Sequence, residues 1–258
     1  MRYLLILVFA CFSTSPLLAE TFTVKGRDIV LNPPPGFALV TEDMTAVWQA
    51  ARQMDDPSND TIAIFIPVAA IPAAKAGELP SYERYMMVKS TKDLPAMDIS
   101  KRMFAELTST IKTEREDVIA QAEVEAKQQL EDANIGIAVS GMEFLEVHDE
   151  TDQSLSFSML VDIDTGFQKV RQATTACMTL LNNRIISLYA FAPRDELEWT
   201  RTAARDYQVT VLADNPNKAV GPRFDWSKVL NKALIGAVVG GGFALFFSLF
   251  KRNENEAS

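Results

Sequence analysis

Cysteine and histidine are nearly absent from this sequence, and their scarcity excludes several classes of protein. The chain has two cysteines, Cys11 and Cys177, and one histidine, His148. Two cysteines cannot supply the several disulfides that hold small secreted domains together. A single histidine leaves little material for a zinc site or for a Ser/His/Asp triad. A disulfide scaffold is therefore excluded, and a histidine-based enzyme is disfavoured.

Nucleotide-binding motifs and an excess of basic residues are also lacking. There is no phosphate-binding loop, no dinucleotide fingerprint and no Gly-x-Ser-x-Gly elbow, and the formal net charge is −9. A negative chain repels nucleic acid rather than attracting it. We therefore predict a protein that is not an enzyme, needs no cofactor and binds no nucleic acid.

One long apolar run stands near the C-terminus. It covers Ala233–Phe250 and contains no charged or amide side chain. As a helix this run would be roughly 27 Å long, close to the thickness of a bilayer core. The run predicts a transmembrane helix over residues 229–250, preceded by Trp226 as an anchor at the membrane interface and followed by a cytoplasmic tail at 251–258.

Small residues recur every four positions within this run. Gly236 and Gly240 form a GxxxG pattern, and a parallel series is made by Ala233, Ala237 and Gly241. Small residues allow close packing of two membrane helices, which predicts self-association or a specific membrane partner. A flexible anchor with incidental glycines explains the pattern equally well.

The N-terminus has the layout of a secretory signal peptide. Arg2 precedes a short apolar run, and cleavage is expected after Ala19. A lipid-modified Cys11 is the weaker alternative. These features predict a signal peptide at 1–19, an exported domain at 20–212, a linker at 213–228 and a single-pass protein of the bacterial inner membrane with a periplasmic domain.

The first half of the exported domain mixes strand and helix patterns. Three prolines at Pro33–Pro35 must end the opening strand, because proline donates no ladder hydrogen bond. Charges dominate Lys112–Asp132, which is compatible with one solvated helix or with two. The predicted elements are a strand at Phe22–Leu31, a helix from Thr41 or Asp43 to about Met54, strands at Thr61–Val68 and Tyr82–Ser90, and a long helical region from about Asp98 or Ser100.

The second half predicts a four-stranded antiparallel meander, since its apolar alternation is interrupted by short polar turns. Pro193 then suits the first turn of a helix that would lie on the sheet. We therefore predict an α+β fold, in which an antiparallel sheet is covered by helices. The predicted strands are Ile135–His148, Ser154–Asp162, Phe167–Leu181 and Arg184–Phe191.

Two short motifs are similar to those of a known group of domains. Pro-Pro-Gly-Phe stands at Pro34–Phe37, and Leu-Tyr-Ala-Phe-Ala-Pro-Arg-Asp-Glu-Leu at Leu188–Leu197 runs into a helix. In this order of elements the chain resembles the PsbP-like exported and lumenal domains, most strongly over 142–212. The resemblance implies an antiparallel sheet covered by helices and a role in binding or in assembling membrane complexes. Photosynthetic members of that group are linked to metal and photosystem binding, whereas Lys112–Asp132 and the C-terminal anchor depart from its usual pattern.

Candidate chemistry in the sequence is limited to an acidic turn and one cysteine. A weak cation site could be formed by Glu143, Glu146, His148 and Asp152, although a solvated acidic turn explains these residues better. Cys177 lies in a strand-like run and is expected to be a small buried hydrophobe, not a reactive thiol. We therefore predict no catalytic residue and no metal site.

Taken together, these patterns predict a non-catalytic, membrane-anchored periplasmic domain. Its expected role is to bind a protein partner or to support assembly of a membrane complex. The alternative is a small-ligand or cation-binding module at the membrane surface.

Overall fold

A computed structural model gives the architecture of the chain over most of its length. The structure describes residues 19–53, 59–80, 83–92, 96–113, 120, 123–124, 127–128, 138–164 and 169–218. The strands are β1 (Glu20–Val24), β2 (Arg27–Leu31), β3 (Phe37–Leu39), β4 (Asn59–Pro67), β5 (Tyr85–Thr91), β6 (Ala138–Glu150), β7 (Ser154–Asp164), β8 (Lys169–Leu181) and β9 (Arg184–Pro193). The helices are α1 (Thr45–Gln53), α2 (Ile71–Lys75), α3 (Lys101–Thr113) and α4 (Leu197–Asp214).

One antiparallel sheet dominates the fold, and it is larger than the sequence predicted. Seven strands are hydrogen-bonded in the order β3-β4-β5-β9-β8-β7-β6. The prediction of a four-stranded sheet is therefore wrong. The strands β6 to β9 are adjacent, but β9 also pairs with β5, with Tyr85 opposite Phe191. This pairing joins the N-terminal strands to the meander in a single sheet.

The opening segment is a hairpin, which corrects the expectation of one strand at Phe22–Leu31. β1 and β2 form a separate two-stranded sheet, in which Val24 lies opposite Arg27. The two turn residues Lys25 and Gly26 have φ values of +49° and +75°. Positive φ at both central residues is the geometry of a tight hairpin turn that matches the twist of the strands.

Helices cover both faces of the seven-stranded sheet. On one face, α1 and α2 pack on Phe157 and Phe191, and α3 packs on Leu180. On the other face, α4 and the β1–β2 hairpin pack on a cluster that contains Phe65 and Leu188. Alternate residues of each strand point to opposite faces, so the sheet lies between two apolar cores.

A buried arginine holds the hairpin against the end of the sheet. The guanidinium of Arg184 is 7% exposed and donates to Asp98 over 2.8 Å and to the Lys25 carbonyl over 2.9 Å. Asp98 also accepts a hydrogen bond of 3.0 Å from Nε of Arg27. These bonds connect the β1–β2 turn, the β8–β9 turn and the segment that leads into α3.

The expectation of a single-pass inner-membrane protein is not supported and is withdrawn. Among the described residues, no helix is both long and apolar enough to cross a membrane. The 18-residue helix α4 would be long enough, but it carries Glu198, Arg201 and Arg205 among its apolar residues. The proposed span 229–250 lies outside the described residues, together with its flanks at Trp226 and 251–258 and its packing residues Ala233, Gly236, Ala237, Gly240 and Gly241.

Other predictions also fall partly or wholly outside the described residues. Of the predicted signal peptide only Ala19 is described, and Cys11 lies outside the described residues. Within Lys112–Asp132, α3 continues to Thr113, and helical residues are described at 120, 123–124 and 127–128. The choice between one helix and two stays a prediction.

Candidate functional site

The residues suggested as a weak cation site do not converge in the structure. Glu143 pairs with Arg171, Glu146 pairs with Arg201 at 2.6 Å, and Asp152 pairs with Lys101 at 2.7 Å. Each carboxylate is therefore neutralised by a different cation. No group of three or more His, Cys, Asp or Glu side chains in the described part of the chain is placed to hold a metal ion.

His148 is partly buried on β6, and its surroundings disfavour a positive charge. The pKa of His148 is lowered from its ordinary value, chiefly by burial and to a smaller extent by the nearby guanidinium of Arg201. Its Nε2 atom is buried and has no hydrogen-bond partner among the described residues. In the described part of the chain no side-chain hydroxyl or thiol is hydrogen-bonded to this nitrogen, so no nucleophile–base pair involving it is formed there.

Cys177 lies on β8 and is buried beneath α4, as the sequence predicted. Its side chain is fully enclosed, and its thiol donates to Oε1 of Gln208 over 3.2 Å. Burial raises the pKa of the Cys177 thiol to about 11, which keeps it protonated at neutral pH. Cys177 therefore contributes to packing under α4 and not to thiolate chemistry.

A cleft lies beside β4, at the edge of the sheet, and is the candidate functional site. We call it the β4 cleft. Its volume is about 280 Å³. Its apolar wall includes Trp48 and Ala51 of α1, Phe22 of β1 and Leu39 of β3. The remaining lining residues are Glu20, Val40, Thr41, Glu42, Thr61, Ile62, Ala63 and Ile64.

The cleft opens because β3 leaves the sheet after only three residues. The Val40 amide donates to the Ile64 carbonyl over 2.8 Å, and the Met44 amide then donates to the Thr41 carbonyl over 2.9 Å. This second bond closes a turn that directs the chain away from β4 and into α1. The side chains of Thr41 and Asp43 are hydrogen-bonded within the same turn.

The same turn is tied to a neighbouring helix. Asp43 forms an ion pair of 3.0 Å with Lys75 of α2. The pKa of Asp43 is lowered, chiefly by the hydrogen bond from Thr41 and to a smaller extent by the contact with Lys75. The turn that opens the cleft is thus linked to α2 by a surface ion pair.

Beyond the end of β3, one side of β4 has no neighbouring strand in the described part of the chain. Thr61 pairs with Lys89 of β5 and Ala63 pairs with Val88, and the extra residue Ile62 forms a bulge between them. β3 pairs with β4 at Phe65–Pro67, and the Val40 amide extends this contact only as far as the Ile64 carbonyl. The segment Thr61–Ala63 is therefore an open strand edge that faces the cleft.

Two carboxylates border the cleft. Glu20 and Glu42 are both exposed, and neither forms an ion pair within the described residues. Asp43, by contrast, is neutralised by Lys75. The β4 cleft therefore combines an apolar interior with a negative rim, an arrangement that suits a ligand with an apolar centre and positive ends.

The opposite edge of the sheet is protected against pairing. β6 has three shifts of register along its length, and it carries Glu143, Glu146 and Glu150. Bulges and charged side chains both hinder the addition of another strand to an edge. Of the two edges, the one beside β4 is thus the better suited to contact with another chain.

Sequence patterns alone did not reveal the cleft. The sequence predicts a helix from Thr41 or Asp43 to about Met54 and a strand at Thr61–Val68, and the structure has α1 and β4 in nearly these positions. Neither pattern indicates that the helix and the strand border a cleft. The signal that was available is the short distance from Phe37 to the turn at Thr41, which limits how far β3 can cover β4.

The first of the two motifs that suggested a family resemblance contacts α4, the helix that follows the second. The ring of Phe37 lies 6.0 Å from that of Trp199 at the start of α4, and the Arg84 guanidinium lies 5.0 Å from the same indole ring. Arg84 also donates to Glu196 over 2.8 Å. The contact between Phe37 and Trp199 thus packs the start of β3 against the start of α4.

Comparison with known proteins finds likeness at the level of the fold. No family model matches this sequence, and a comparison with curated proteins gives no match either. Among solved structures, the chain is similar to cyanobacterial PsbP (CyanoP) from Synechocystis, with 11% identity, a TM-score of 0.38 and coverage of 79% of this chain and 96% of the other. It is also similar to the Ran-binding protein Mog1p of Saccharomyces cerevisiae, with 11% identity, a TM-score of 0.27 and coverage of 77% and 92%.

The predicted resemblance to PsbP-like domains is confirmed by this comparison at the level of the fold. At such identities and TM-scores the likeness says nothing of a ligand, a partner or a reaction. The β4 cleft is therefore interpreted from its own geometry.

Proposed function

We propose that this chain is a non-catalytic binding domain that recognises a segment of a protein partner in the β4 cleft. The observation that carries the proposal is a cleft with aromatic walls at a strand edge that β3 leaves uncovered. Half-buried aromatic side chains such as Trp48 and Phe22 are the type that dominates the energetics of protein interfaces. An open strand edge is in addition a common place for one chain to contact another.

The described chemistry gives less support to an enzyme. His148 on β6 and Cys177 on β8 are separated by β7, and the Cys177 thiol is hydrogen-bonded to Thr179 and Gln208, not to His148. Burial keeps the Cys177 thiol protonated, so it is not activated as a nucleophile, and Nε2 of His148 has no hydrogen-bond partner among the described residues. Binding is therefore the simpler function for this site.

Site-specific crosslinking in intact cells tests the proposal. A photoreactive amino acid is placed at Glu42 on the rim of the β4 cleft and, as a control, at Val209, which is 63% exposed on α4. We expect Glu42 to give a discrete crosslinked protein that mass spectrometry identifies, and Val209 to give none in common with it. Identical products from both positions, or no product from Glu42, would contradict the proposal.

A matched pair of substitutions then separates recognition from folding. Ile62→Glu places a carboxylate within the cleft, whereas Val209→Glu places one on exposed α4. We expect the first to abolish the Glu42 crosslink and the second to preserve it. Melting curves of both variants show whether each is folded, and a folded Ile62→Glu variant that keeps the crosslink would count against the proposal.

A small amphipathic cation is the second candidate occupant, because about 280 Å³ approaches the size of small-ligand pockets. Such a ligand raises the melting temperature, since it binds the native state alone. If this candidate is correct, a low-molecular-weight extract will raise the melting temperature of the wild-type chain but not that of Ile62→Glu.

A further inference from the structure

Resting on the proposed function, we infer that the partner segment binds as an extended strand along Thr61–Ala63, with an apolar centre flanked by lysine or arginine. This inference specifies both the backbone conformation and the charge of the partner. It follows from how β4 faces the cleft, from where β3 ends, and from the carboxylates at the rim.

The first observation concerns which residues of β4 line the cleft. They are four in succession, Thr61 to Ile64. Successive side chains of a strand point to opposite faces of the sheet, so a cleft on one face would be lined by alternate residues. A cleft lined by consecutive residues lies against the edge of the strand. The edge presents the backbone N–H and C=O groups, and the natural ligand for these is another extended chain.

The second observation is that the cleft continues the line of β3. β3 is antiparallel to β4 and makes its last bond from the Val40 amide to the Ile64 carbonyl. A partner strand entering beyond Val40 would occupy the position that β3 vacates. The three residues Thr61–Ala63 offer about 10 Å of edge, enough for a short strand of similar length.

The walls of the cleft determine which side chains suit the centre of that strand. Phe22 and Leu39 belong to the packing on the α4 face of the sheet, whereas Trp48 and Ala51 belong to that on the α1 face. A strand in the cleft therefore has apolar walls on both sides. Apolar residues at its centre would be buried whichever face they point to.

The rim determines the charge at the ends of that strand. Glu20 and Glu42 border the cleft and have no ion-pair partner among the described residues. Exposed carboxylates of this kind select a basic partner and speed its approach more than they add affinity. The partner segment is accordingly a basic–apolar–basic stretch, and acidic segments are rejected.

Selection from a random peptide library tests this inference. A phage-displayed library of nonapeptides is panned on the full-length chain, with soluble Ile62→Glu variant present to remove peptides that bind elsewhere. We expect enriched peptides to have two or three apolar residues flanked by lysine or arginine. Synthetic copies of the enriched peptides should bind the Glu20→Gln or Glu42→Gln variant of the chain about three- to fivefold more weakly than they bind the wild-type chain. Their affinity for the wild-type chain should also fall as the salt concentration is raised.

Backbone methylation tests the extended conformation directly. N-methyl groups on the central amides of the same synthetic peptides remove donors for the strand edge and should weaken binding about tenfold or more. Unchanged affinity after N-methylation, or enriched peptides without basic residues, would overturn the inference but leave the proposed function standing. Failure to enrich any peptide that distinguishes the chain from Ile62→Glu also overturns the inference. The Glu42 crosslink decides separately whether the proposed function fails.

Discussion

Two buried threonine hydroxyls, one on β4 and one on α4, differ in whether they are hydrogen-bonded. Oγ1 of Thr61 is buried and has no hydrogen-bond partner among the described residues. Oγ1 of Thr200, fully buried on α4, donates to the Leu197 carbonyl over 2.7 Å and lies 2.8 Å from Oγ1 of Thr175. A buried polar atom without a partner costs free energy, whereas a bonded one contributes to stability.

Replacing each threonine by valine, which has nearly the same shape, should therefore give opposite results. Thr61→Val removes an unsatisfied hydroxyl and is expected to leave the free energy of unfolding unchanged or to raise it by up to about 1 kcal/mol. Thr200→Val should lower it by about 1–2 kcal/mol, because bonds are lost and their partners stay buried. Urea unfolding of the full-length chain measures both values. A larger loss for Thr61→Val than for Thr200→Val would show that the Thr61 hydroxyl is satisfied after all.

The β1–β2 hairpin owes its tight turn to a single glycine. Gly26 has φ +75°, and a methyl group built on it would meet no atom within 4 Å. Space is thus no obstacle to a larger residue there, and the cost of substitution comes from backbone conformation alone.

Gly26→Ala should lower the free energy of unfolding by roughly 1 kcal/mol, since alanine disfavours positive φ. Gly141→Ala on β6 is the matched control. Its added methyl group would make an ordinary contact with Asp162 at 3.5 Å, and no positive φ is involved. We expect a change within about 0.5 kcal/mol there. Equal losses for the two variants in urea unfolding would rule out backbone strain as the cause.

The elements with regular patterns and clear turns were predictable from the sequence. The strands β7 to β9 follow the expected ranges closely, because apolar residues alternate and turns such as Asn182–Asn183 separate them. The β1–β2 hairpin was missed because its turn has only Lys25 and Gly26 and interrupts a run that otherwise resembles one strand. Local pattern thus identifies a strand more reliably than it identifies a very short turn.

The size of the sheet and the β4 cleft were not predictable in this way. The pairing of β5 with β9 joins segments about a hundred residues apart, and no local pattern encodes a contact of that range. The cleft exists because β3 covers only part of β4, and this depends on the register of two strands rather than on the composition of either. The residues that form the site were recognised as apolar, but their place at an edge was not.

Acid should destabilise the folded protein in two stages. The pKa of His148 is lowered on folding by burial and by Arg201, so the unfolded chain takes up this proton more readily and stability falls as the pH drops through about 6.5. The pKa of Asp98 is lowered by its hydrogen bond from Arg27, and that of Glu196 by its hydrogen bond from Arg84. Their contribution is present at neutral pH and is lost below about pH 4.

Urea midpoints at pH 7.5, 5.5 and 3 measure both stages. His148→Gln removes the titrating group and should abolish the decline between pH 7.5 and 5.5 while leaving the decline at lower pH in place. If His148→Gln keeps the full decline above pH 5.5, another group is responsible for it.

The order of strands in the sheet has a consequence for synthesis of the chain. β3, β4 and β5 emerge early from the ribosome, but β5 obtains its second neighbour only when β9 appears, about a hundred residues later. Until then the edge of β5 (Tyr85–Thr91) that will pair with β9 is exposed in the nascent chain, although this strand is buried in the folded protein. Folding therefore waits for Arg184–Pro193 and proceeds after most of the polypeptide has been made, during which the unfinished half needs protection from aggregation.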